Sequence, residues 1–258
     1  MHPAFRQVFQ AIGLAYYHAF LGPRGRGRSA PVDTWDRQYR TGHWDNFETA
    51  NEMPRYAVIA SYIRGRGPGS SILDVGCGYG RLVDELHSGA VGRYVGIDLS
   101  AEAVRRAQSR ASATVSFAVG DFGSCQLDET FDVVVFNDTL YYADHPTSTL
   151  DRFAAKLNPD GVLIVAMYRH RNTMVIWKAI EQRFAVLDRF EVKNGIGEVT
   201  DIRSIAPRLG VRTAAASTPG RGRPEGAAPI GASSAATTLY TDPSSPSNGA
   251  TPRVPDTA

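Results

Sequence analysis

A glycine-rich turn directly after an apolar stretch constrains the fold of this chain most. Residues Ile72–Val75 are apolar apart from one acid, Asp74, and the segment Arg81–His87 carries apolar side chains at helical spacing. The glycines between them alternate with other residues and are Gly76, Gly78 and Gly80. This order predicts a buried strand, a tight turn and a helix, because glycine permits sharp turns and lets a ligand approach the backbone. Open α/β sheets bind ligands at the carboxyl ends of their strands, so we expect a ligand site here.

Two acids indicate the kind of ligand that this turn would bind. Asp74 precedes the first glycine by two residues, and Asp98 ends the next apolar stretch, 22 residues after Gly76. A dinucleotide-binding turn has the spacing G-x-G-x-x-G and holds a pyrophosphate, whereas the spacing here is G-x-G-x-G. A carboxylate suits a cationic group better than a phosphate, and an acid about 20 residues further on typically binds ribose hydroxyls. Together the two acids predict a nucleoside that carries a positive group.

Four ordered segments of the sequence resemble the class I S-adenosylmethionine-dependent methyltransferases. They are Ile72–Leu82, Gly96–Ser100, Val119–Phe122 and Phe131–Asp138, and their order and spacing agree over residues 71–207. The resemblance implies S-adenosylmethionine as the cofactor, with Asp74 and the glycine backbone holding its methionine part and Asp98 its ribose. Asp121 and Phe122 would contact the adenine. The full set of cofactor-binding residues that the resemblance implies is Asp74, Gly76, Cys77, Gly78, Gly80, Asp98, Leu99, Asp121, Phe122 and Asn137.

Strands and helices alternate along the rest of the sequence. Strand Tyr94–Asp98 precedes a helix with Ser100 as its N-cap, and Phe131–Phe136 is an apolar run typical of a strand buried on both faces. A helix over Thr147–Leu157 should stop at a turn over Asn158–Gly161, because proline and glycine both enforce turns. The alternation predicts an α/β fold with a doubly wound, mostly parallel sheet. The resemblance implies a Rossmann-like sheet of seven strands with an antiparallel last strand.

Composition divides the chain into three expected parts. Residues 1–31 should form an N-terminal helix and a basic linker, residues 32–210 a methyltransferase domain with an N-terminal cap, and residues 211–258 a disordered tail. The tail has few large apolar residues and cannot bury enough surface to offset its ordering entropy. The N-terminal helix either packs on the domain or, with its basic flank, makes a peripheral contact with anionic lipid. No apolar run reaches the ~18 residues that a transmembrane helix needs.

The net charge and the cysteine content argue against several classes of protein. The formal net charge is +2, so we do not expect a nucleic-acid footprint over the whole chain. Three arginines near the N-terminus leave a local phosphate-binding segment open as an alternative, and these are Arg24, Arg26 and Arg28. Two cysteines, Cys77 and Cys125, give neither a disulfide framework nor a C-x-x-C metal site. We therefore predict a cytoplasmic protein without a metal site.

An aromatic and charged segment, Val32–Tyr62, precedes the first strand. The resemblance implies that such a segment folds over the cofactor as a cap, with Tyr39 near the ligand as a substrate-binding residue. The alternative is that its aromatic residues only pack a helix over Pro54–Ile63 onto the sheet.

The loop after the fourth strand supplies candidates for catalysis. Methyl transfer from a sulfonium is an in-line displacement, and a hydroxyl acceptor must also lose a proton. His145 is the candidate base, since its ordinary pKa is near ~6.5, and Asp138 would orient a base or bind the acceptor. The alternative for His145 is that it caps the helix after Pro146.

Further residues at the same sheet edge are candidates for acceptor binding. Tyr141 and Tyr142 are expected to form walls of the acceptor pocket. Arg169 is followed by His170 and Arg171, and the three either recognise an anionic or sugar acceptor or lie in a solvated loop.

The sequence therefore predicts an enzyme that transfers a methyl group from S-adenosylmethionine to a hydroxyl of a small molecule, sugar or glycolipid. The expected partner is a small-molecule or glycan acceptor and not nucleic acid, because the Asn-Pro-Pro-Tyr type of sequence found in nucleic-acid amino-methyltransferases is absent after Asn137. Methylation of nitrogen or carbon in a metabolite remains open. So does a binding module that keeps the cofactor fold without catalysis.

Overall fold

The computed structural model describes residues 30–86, 91–125, 127–169 and 171–208. All of them belong to one compact unit. The N-terminal helix and basic linker expected before residue 30, the residue His170 and the expected tail over 211–258 lie outside these described residues. The division of the chain at residues 31 and 210 therefore stays a prediction.

A seven-stranded sheet forms the centre of the described structure. Its strands are β1 Ser70–Val75, β2 Val91–Asp98, β3 Val115–Val119, β4 Phe131–Asn137, β5 Leu157–Tyr168, β6 Phe184–Lys193 and β7 Val199–Pro207. Their order across the sheet is β3-β2-β1-β4-β5-β7-β6. Strands β1 to β5 pair in parallel, whereas β7 pairs antiparallel with both β5 and β6. The predicted Rossmann-like, mostly parallel sheet with an antiparallel last strand is confirmed.

The strand order reverses between β1 and β4. From β1 the chain proceeds outward to β2 and β3, and it then returns to place β4 on the other side of β1. At such a reversal the connections after the two central strands leave in opposite directions, which opens a crevice at their carboxyl ends. The glycine turn follows β1 and therefore lies at this crevice.

Helices and short 3₁₀ turns connect the strands within the described residues. The helices are α1 Val32–Arg40, α2 Met53–Arg64, α3 Ala101–Ala107, α4 Pro146–Ala154 and α5 Arg171–Arg183. The 3₁₀ turns are Asp45–Glu48, Arg81–Glu85, Gln108–Arg110 and Leu140–Tyr142. The helix expected after the glycine turn is only the turn Arg81–Glu85, because Leu86 adopts extended backbone angles of φ −98° and ψ 105°. The predicted N-cap of α3 is confirmed, since the Ser100 side chain accepts a hydrogen bond from the backbone N–H of Ala103.

Two apolar cores cover the two faces of the sheet. Side chains alternate between the faces of a strand, so Val134 and Phe136 of β4 enter one core while Val133 and Val135 enter the other. The first core packs against α4 and α5, and the second packs against α2 and α3. This two-sided burial explains why the sequence of β4 is almost wholly apolar.

The turn expected over Asn158–Gly161 is instead an irregular part of β5. Phe131 pairs with Leu157 and Val133 pairs with Val162, so β5 holds three more residues than β4 between these pairs. Because the ladder resumes beyond them, the chain bulges without leaving the sheet. The preceding helix accordingly ends at Ala154, and not at Leu157 as predicted.

A hairpin joins β6 to β7, as the sequence Asn194-Gly195-Ile196-Gly197 predicts. The Asn194 side-chain oxygen accepts hydrogen bonds from the backbone N–H groups of Ile196 at 3.2 Å and Glu198 at 2.9 Å. Gly197 has a φ of +90°, which favours glycine. The hairpin returns β7 into the sheet between β5 and β6. Among the described residues, no helix has the length and apolar character needed to span a bilayer.

Candidate functional site

A pocket lies at the carboxyl ends of β1, β2 and β4. It holds about 940 Å³ of empty space, a figure that includes the part open to solvent. The strand ends contribute one part of its wall, which includes Asp74, Asp98 and Asn137. The segment before β1 contributes another, which includes Trp35 and Trp44. The ligand site that the glycine turn predicts therefore corresponds to a real cavity.

Two of the three glycines of the turn are required by packing. Gly76 has a φ of +72°, and a Cβ at this position would overlap the side chain of Thr139. A Cβ at Gly80 would lie 2.6 Å from Phe117 Cζ. Gly80 is also absent from the residues that line the pocket, so the structure does not place it as a cofactor contact.

The third glycine, Gly78, lies under a tyrosine of the N-terminal segment. A Cβ at Gly78 would be 3.3 Å from the hydroxyl oxygen of Tyr39, and both residues line the pocket together with Cys77. Burial raises the pKa of Tyr39 well above its usual value, and the charge of Asp98 adds to this shift. Tyr39 therefore stays a neutral hydroxyl that can donate a hydrogen bond, in the place where the sequence predicts it.

Asp74 is buried, and one of its two carboxylate oxygens has no hydrogen-bond partner. It is 2% exposed, and its Oδ2 accepts a hydrogen bond of 2.5 Å from the Tyr94 hydroxyl. Its Oδ1 is buried without a hydrogen-bond partner. Burial raises the pKa of Asp74 to about 7, against the opposing effect of the Tyr94 hydrogen bond. A buried, unpaired carboxylate oxygen is suited to a ligand that donates hydrogen bonds or carries positive charge.

Asp98 is held by the backbone on both of its oxygens. Its Oδ2 accepts from the Gly78 N–H and its Oδ1 from the Ser100 N–H, each at 2.9 Å. Burial raises the pKa of Asp98 to about 6, while these N–H groups act to lower it. Each oxygen keeps a second lone pair, so the fixed carboxylate can still accept hydrogen bonds from a diol.

The ends of β2, β3 and β4 complete this part of the wall. Leu99, Phe122 and Asn137 line the pocket as predicted, and Asn137 Oδ1 is buried without a partner. Asp121 is different, because it is exposed and does not line the pocket. Its Oδ1 accepts a hydrogen bond of 2.7 Å from the Gly123 N–H. The structure therefore uses Asp121 to shape its own loop, and the predicted adenine contact is not supported.

The segment before β1 forms an aromatic part of the wall. We call residues 32–48, which comprise α1 and the first 3₁₀ turn, the cap. Trp35 and Trp44 stack with their ring centroids 5.8 Å apart, and Trp44 and Phe47 stack with theirs 5.6 Å apart. Trp35 also meets Tyr142 edge-on at 4.9 Å. These rings line the pocket, so the cap interpretation agrees better with the structure than packing of α2 alone.

One contact fastens α1 of the cap to the start of α3. Asp36 Oδ1 accepts a hydrogen bond of 2.5 Å from the Ser100 hydroxyl and one of 3.3 Å from the Glu102 N–H. A carboxylate at this position also faces the first N–H groups of a helix, which favours negative charge. The cap is thus anchored two residues beyond Asp98.

A second contact fastens the cap to the glycine turn. The Tyr79 hydroxyl donates to Asp45 Oδ1 at 2.8 Å, and Arg106 donates to the same oxygen at 3.0 Å. The Arg106 guanidinium lies 3.7 Å above the Tyr79 ring. The turn that borders the ligand site is therefore also the surface on which the cap rests.

Asp138 connects three elements at the pocket edge. It has a φ of +54°, and its Oδ1 accepts a hydrogen bond of 2.7 Å from the Tyr168 N–H at the end of β5. Its Oδ2 forms an ion pair with Arg55 of α2, which also pairs with Glu52 at 3.0 Å. Although Asp138 lines the pocket, its carboxylate is occupied on both sides. The structure supports a positioning role for it rather than the predicted role in catalysis.

His145 lies outside the pocket. It is exposed at the N-cap position of α4 and makes no side-chain capping hydrogen bond. The 3₁₀ turn Leu140–Tyr142 explains this position. It places Tyr141 and Tyr142 in the pocket wall, as predicted, and the chain then leaves the pocket before it reaches His145. The geometry supports neither the catalytic role nor the capping role that the sequence suggests for His145.

Arg169 also lies outside the pocket. Its Nε donates to Asp201 Oδ2 at 2.9 Å, and it forms a further ion pair with Glu191. These acids belong to β7 and β6, whose insertion beside β5 brings them to Arg169. Because this guanidinium is already paired, the predicted role in substrate binding is not supported. The sequence gives no sign of the pairing.

Several pocket residues were not predicted from the sequence. They include Glu48, Arg55, Arg81 and Thr139. Arg81 lies in the segment Ile72–Leu82, but the resemblance implies no role for it. Glu48 and Arg55 belong to the segment before β1, where only the high aromatic content pointed to a site. Among the described residues, no three His, Cys, Asp or Glu side chains are grouped to hold a metal ion.

Unpaired polar atoms are concentrated around this pocket. Among the described residues, eight buried side-chain nitrogen or oxygen atoms lack a hydrogen-bond partner, and six of them belong to residues of the pocket wall. These six are Trp35 Nε1, Trp44 Nε1, Glu48 Oε1, Arg55 Nε, Asp74 Oδ1 and Asn137 Oδ1. Buried polar groups are nearly always satisfied in folded proteins. This concentration of unpaired polar atoms makes the pocket the candidate ligand site.

Curated proteins with related sequences match only part of this chain. The malonyl-[acyl-carrier protein] O-methyltransferase of Anoxybacillus flavithermus is 23% identical over 134 residues, which are 51% of this chain and 51% of that protein. The human mitochondrial arginine-hydroxylase NDUFAF5 is 29% identical over 96 residues, which are 37% of this chain and 28% of that protein. The chain thus spans about half the length, or less, of these curated relatives.

A solved structure and a family model complete the comparison. The N-methyltransferase NodS from Bradyrhizobium japonicum, in complex with S-adenosyl-L-homocysteine, has a TM-score of 0.58 at 19% identity and covers 69% of this chain and 98% of its own. This likeness shows the fold. A family model described as a methyltransferase domain matches residues 67–202, more than half of the 258 residues. With the strand order and the glycine turn that class I enzymes share, this match shows that the chain belongs to the methyltransferase domain family.

Proposed function

We propose that this chain transfers a methyl group from S-adenosylmethionine to a hydroxyl group of a small molecule or sugar. The cofactor is inferred from the family and from the charge of the strand-end wall. The observation that carries the proposal is the buried Asp74 Oδ1, which has no partner and lies beside the glycine turn. S-adenosylmethionine carries an ammonium and a sulfonium, so an unpaired carboxylate fits it better than it fits an uncharged nucleoside.

The strand-end wall is proposed to bind and orient the nucleoside. Asp74 would accept hydrogen bonds from the amino group of the methionine part, and Asp98 would accept them from the ribose hydroxyls. The Leu99 and Phe122 side chains would pack against the adenine. Fixed backbone donors hold Asp98 before any ligand arrives, which reduces the ordering cost of binding.

The bound cofactor supplies an electrophilic methyl group, and the protein's task is to align an acceptor oxygen with it. In an in-line displacement, alignment alone can supply a large part of the rate. The aromatic cap and Tyr142 surround the space next to the strand ends and would exclude water from it. Exclusion of water also favours transfer of the methyl group to the acceptor over its loss to solvent.

The acceptor and the chain boundaries are part of the proposal. A small molecule or sugar is favoured because aromatic side chains of the cap line the pocket beside the strand ends. We propose residues 32–210 as the catalytic domain, with residues 1–31 and 211–258 outside it.

The proposal is tested first by binding and then by transfer. The purified chain should bind S-adenosylmethionine in a calorimetric titration. An isotope-labelled methyl group should then pass from the cofactor into the lipid, sugar or metabolite fraction of a cell extract. Label in nucleic acid or protein would contradict the proposed acceptor, and absence of cofactor binding would contradict the proposal as a whole. Cofactor binding without any transfer would favour a binding module instead.

A further inference from the structure

The side of the pocket formed by the cap and the helix α2 carries a set of unpaired polar atoms of its own. Three N–H donors are buried without a partner, on Trp35 Nε1, Trp44 Nε1 and Arg55 Nε. Glu48 lines the same pocket, and its carboxylate oxygen Oε1 is also buried without a partner. None of these residues belongs to the strand ends that we assign to the cofactor. Unpaired buried groups are costly, so a ligand with both donors and acceptors would satisfy these atoms once small side-chain movements open them to the pocket.

Glu48 is anchored through one carboxylate oxygen, and the other has no partner. Its Oε2 accepts a hydrogen bond of 2.8 Å from Arg110. Arg110 is itself held by Asp84, at 3.0 Å from its Nε, and by the carbonyl oxygen of Tyr79, also at 3.0 Å. A carboxylate that is anchored through one oxygen can recognise a donor through the other with little loss of side-chain entropy.

The charge of this region disfavours an anionic acceptor. Two arginines line the pocket, and each already faces two carboxylates. Arg55 pairs with Glu52 and Asp138. Arg81 pairs with Asp84 at 3.1 Å and with Glu85 at 3.2 Å. An anion would therefore meet guanidinium groups whose charge is already balanced, together with the carboxylate of Glu48.

The donor set disfavours a simple ammonium acceptor. An ammonium group has hydrogen-bond donors and no acceptor, so it would leave the indole N–H groups of Trp35 and Trp44 unpaired. A hydroxyl group both donates and accepts. A ring that carries several hydroxyls can satisfy Glu48 and the indoles together, while its apolar face packs on the stacked aromatic rings of the cap.

We propose that Glu48, Trp35 and Trp44 form the acceptor subsite, and that the acceptor is an uncharged, polyhydroxylated ring of the sugar class. A hydroxyl of the acceptor donates to Glu48 Oε1, and further hydroxyls accept from the two indoles. This inference rests on the proposed function and gives its acceptor a chemical class. Glu48 is here a specificity-determining residue that binds the acceptor.

The test uses three probes that share a phenyl group. The full-length protein is first saturated with S-adenosylhomocysteine, and tryptophan fluorescence is followed as each probe is added. Phenyl β-D-glucopyranoside should bind, while phenyl β-D-glucuronide, which adds a carboxylate, should bind about 10-fold or more weakly. Phenethylammonium should also bind more weakly than the glucoside. Equal or tighter binding of either charged probe, or no binding of the glucoside, would overturn the acceptor class.

A matched pair of variants tests Glu48 itself. Glu48→Gln should weaken glucoside binding about 10-fold, because a hydrogen bond to a charged group is stronger than one to a neutral amide. The control Glu129→Gln removes an exposed carboxylate that pairs with Arg93 outside the pocket wall, and it should leave glucoside binding unchanged. Unchanged binding in Glu48→Gln would overturn the assignment of Glu48.

A third variant protects the test against misfolding. Trp35→Phe keeps an aromatic ring and removes the indole N–H, so it should weaken glucoside binding about 5-fold. Affinity for S-adenosylhomocysteine should stay the same in all variants, which shows that the cofactor side is intact. If the unmodified protein does not bind S-adenosylhomocysteine, the proposed function is contradicted. If it binds S-adenosylhomocysteine and Trp35→Phe leaves glucoside binding unchanged, only the acceptor subsite is contradicted.

Discussion

The two sides of the pocket are built in different ways. The strand-end side, with Asp74 and Asp98, is carried by central strands of the sheet and is almost wholly buried. The cap side is carried by one helix and one 3₁₀ turn that contain no buried residue, and it is held by surface hydrogen bonds. A site on packed strands is more rigid than one on short surface elements. The comparison suggests a fixed cofactor side and an adaptable acceptor side.

The largest expected effect is on the fold of the strand-end side. Gly76→Ala should lower the free energy of unfolding by about 3 to 5 kcal/mol, since it combines a left-handed backbone with an overlap onto Thr139. Gly67→Ala is the matched control, because Gly67 has a φ of +98° and open space around its Cβ position. It should cost only about 1 to 2 kcal/mol in chemical denaturation. Equal losses for the two variants would show that the turn is not tightly packed.

The next largest effect is on cofactor binding, and it distinguishes two acids near strand ends, Asp98 and Asp121. Asp98→Ala should weaken S-adenosylmethionine binding by about 1 to 3 kcal/mol, because a buried acceptor is lost. Asp121→Ala removes an exposed acid outside the pocket wall and should change the affinity by less than ~0.5 kcal/mol. Calorimetric titration measures both. A comparable loss in Asp121→Ala would restore the adenine contact that the sequence predicts.

A pH effect should follow from Asp74. Burial raises its pKa to about 7, above the ~3.9 of an unfolded aspartate, so the ligand-free fold holds this proton more tightly than the unfolded chain. This group therefore lowers stability as the pH rises from about 4 to about 7. Cofactor binding favours the carboxylate, so affinity should rise about 10-fold between pH 6 and pH 8, with protons released on binding.

Calorimetry in buffers of different ionisation enthalpy measures this proton release. Asp74→Asn cannot titrate, and its affinity should be lower and nearly independent of pH over the same range. A pH profile that keeps its slope in Asp74→Asn would assign the effect to another group.

A smaller effect is expected on the cap side. Tyr79→Phe removes the hydroxyl that donates to Asp45 and lies 2.7 Å from an Arg106 nitrogen. The loss should amount to about 0.5 to 1.5 kcal/mol, because one partly exposed hydrogen bond is removed while the ring stays. Hydrogen exchange should then be faster in residues 32–48 and unchanged in the central strands. Faster exchange throughout the sheet would show that the cap and the sheet unfold as one unit.

The smallest effect is expected for His145. His145→Ala should change the rate of methyl transfer by less than about 2-fold, since the side chain is exposed and lies outside the pocket wall. A general base would instead contribute about 10²- to 10⁴-fold. A loss of that size with intact cofactor binding would show that the loop after β4 moves His145 into the site during turnover.

The difference between the two sides of the pocket also explains which of its residues could be predicted from the sequence. The strand-end side follows from local rules, because an apolar run, its terminal acid and the glycine turn lie next to one another in the chain. Asp74, Gly78 and Asp98 were therefore found in their expected places. Their position at one edge then follows from the parallel arrangement of the strands.

The cap side depends on contacts between distant parts of the chain. Glu48 meets Arg110, and Arg55 meets Asp138, 83 residues away. Such pairs leave no pattern of spacing in a single sequence. Arg169 and His145 were misplaced for the same reason, because their exposure and their partners are decided by where other segments pass.

Helix phase was a further limit of the sequence. In α5 the apolar spacing predicts an inward face that consists of Val175, Ile176, Ala179 and Ile180. This is wrong for Val175 and Ala179, because Met174 and Trp177 are apolar as well and the pattern does not fix one face. The structure buries Ile176 and Trp177 and leaves Met174 and Val175 exposed. The end of α4 was misjudged because the residues that normally form a turn are accommodated as a bulge in β5.

Ser100 joins the strand-end side of the pocket to the cap. Its N–H holds Asp98 on one side, and its hydroxyl holds Asp36 of the cap on the other. A ligand held by Asp98 and the cap held by Asp36 are therefore connected through one residue. Whatever free energy the ligand adds to the cap contact, the cap contact must add to ligand binding, because coupling between two sites is reciprocal.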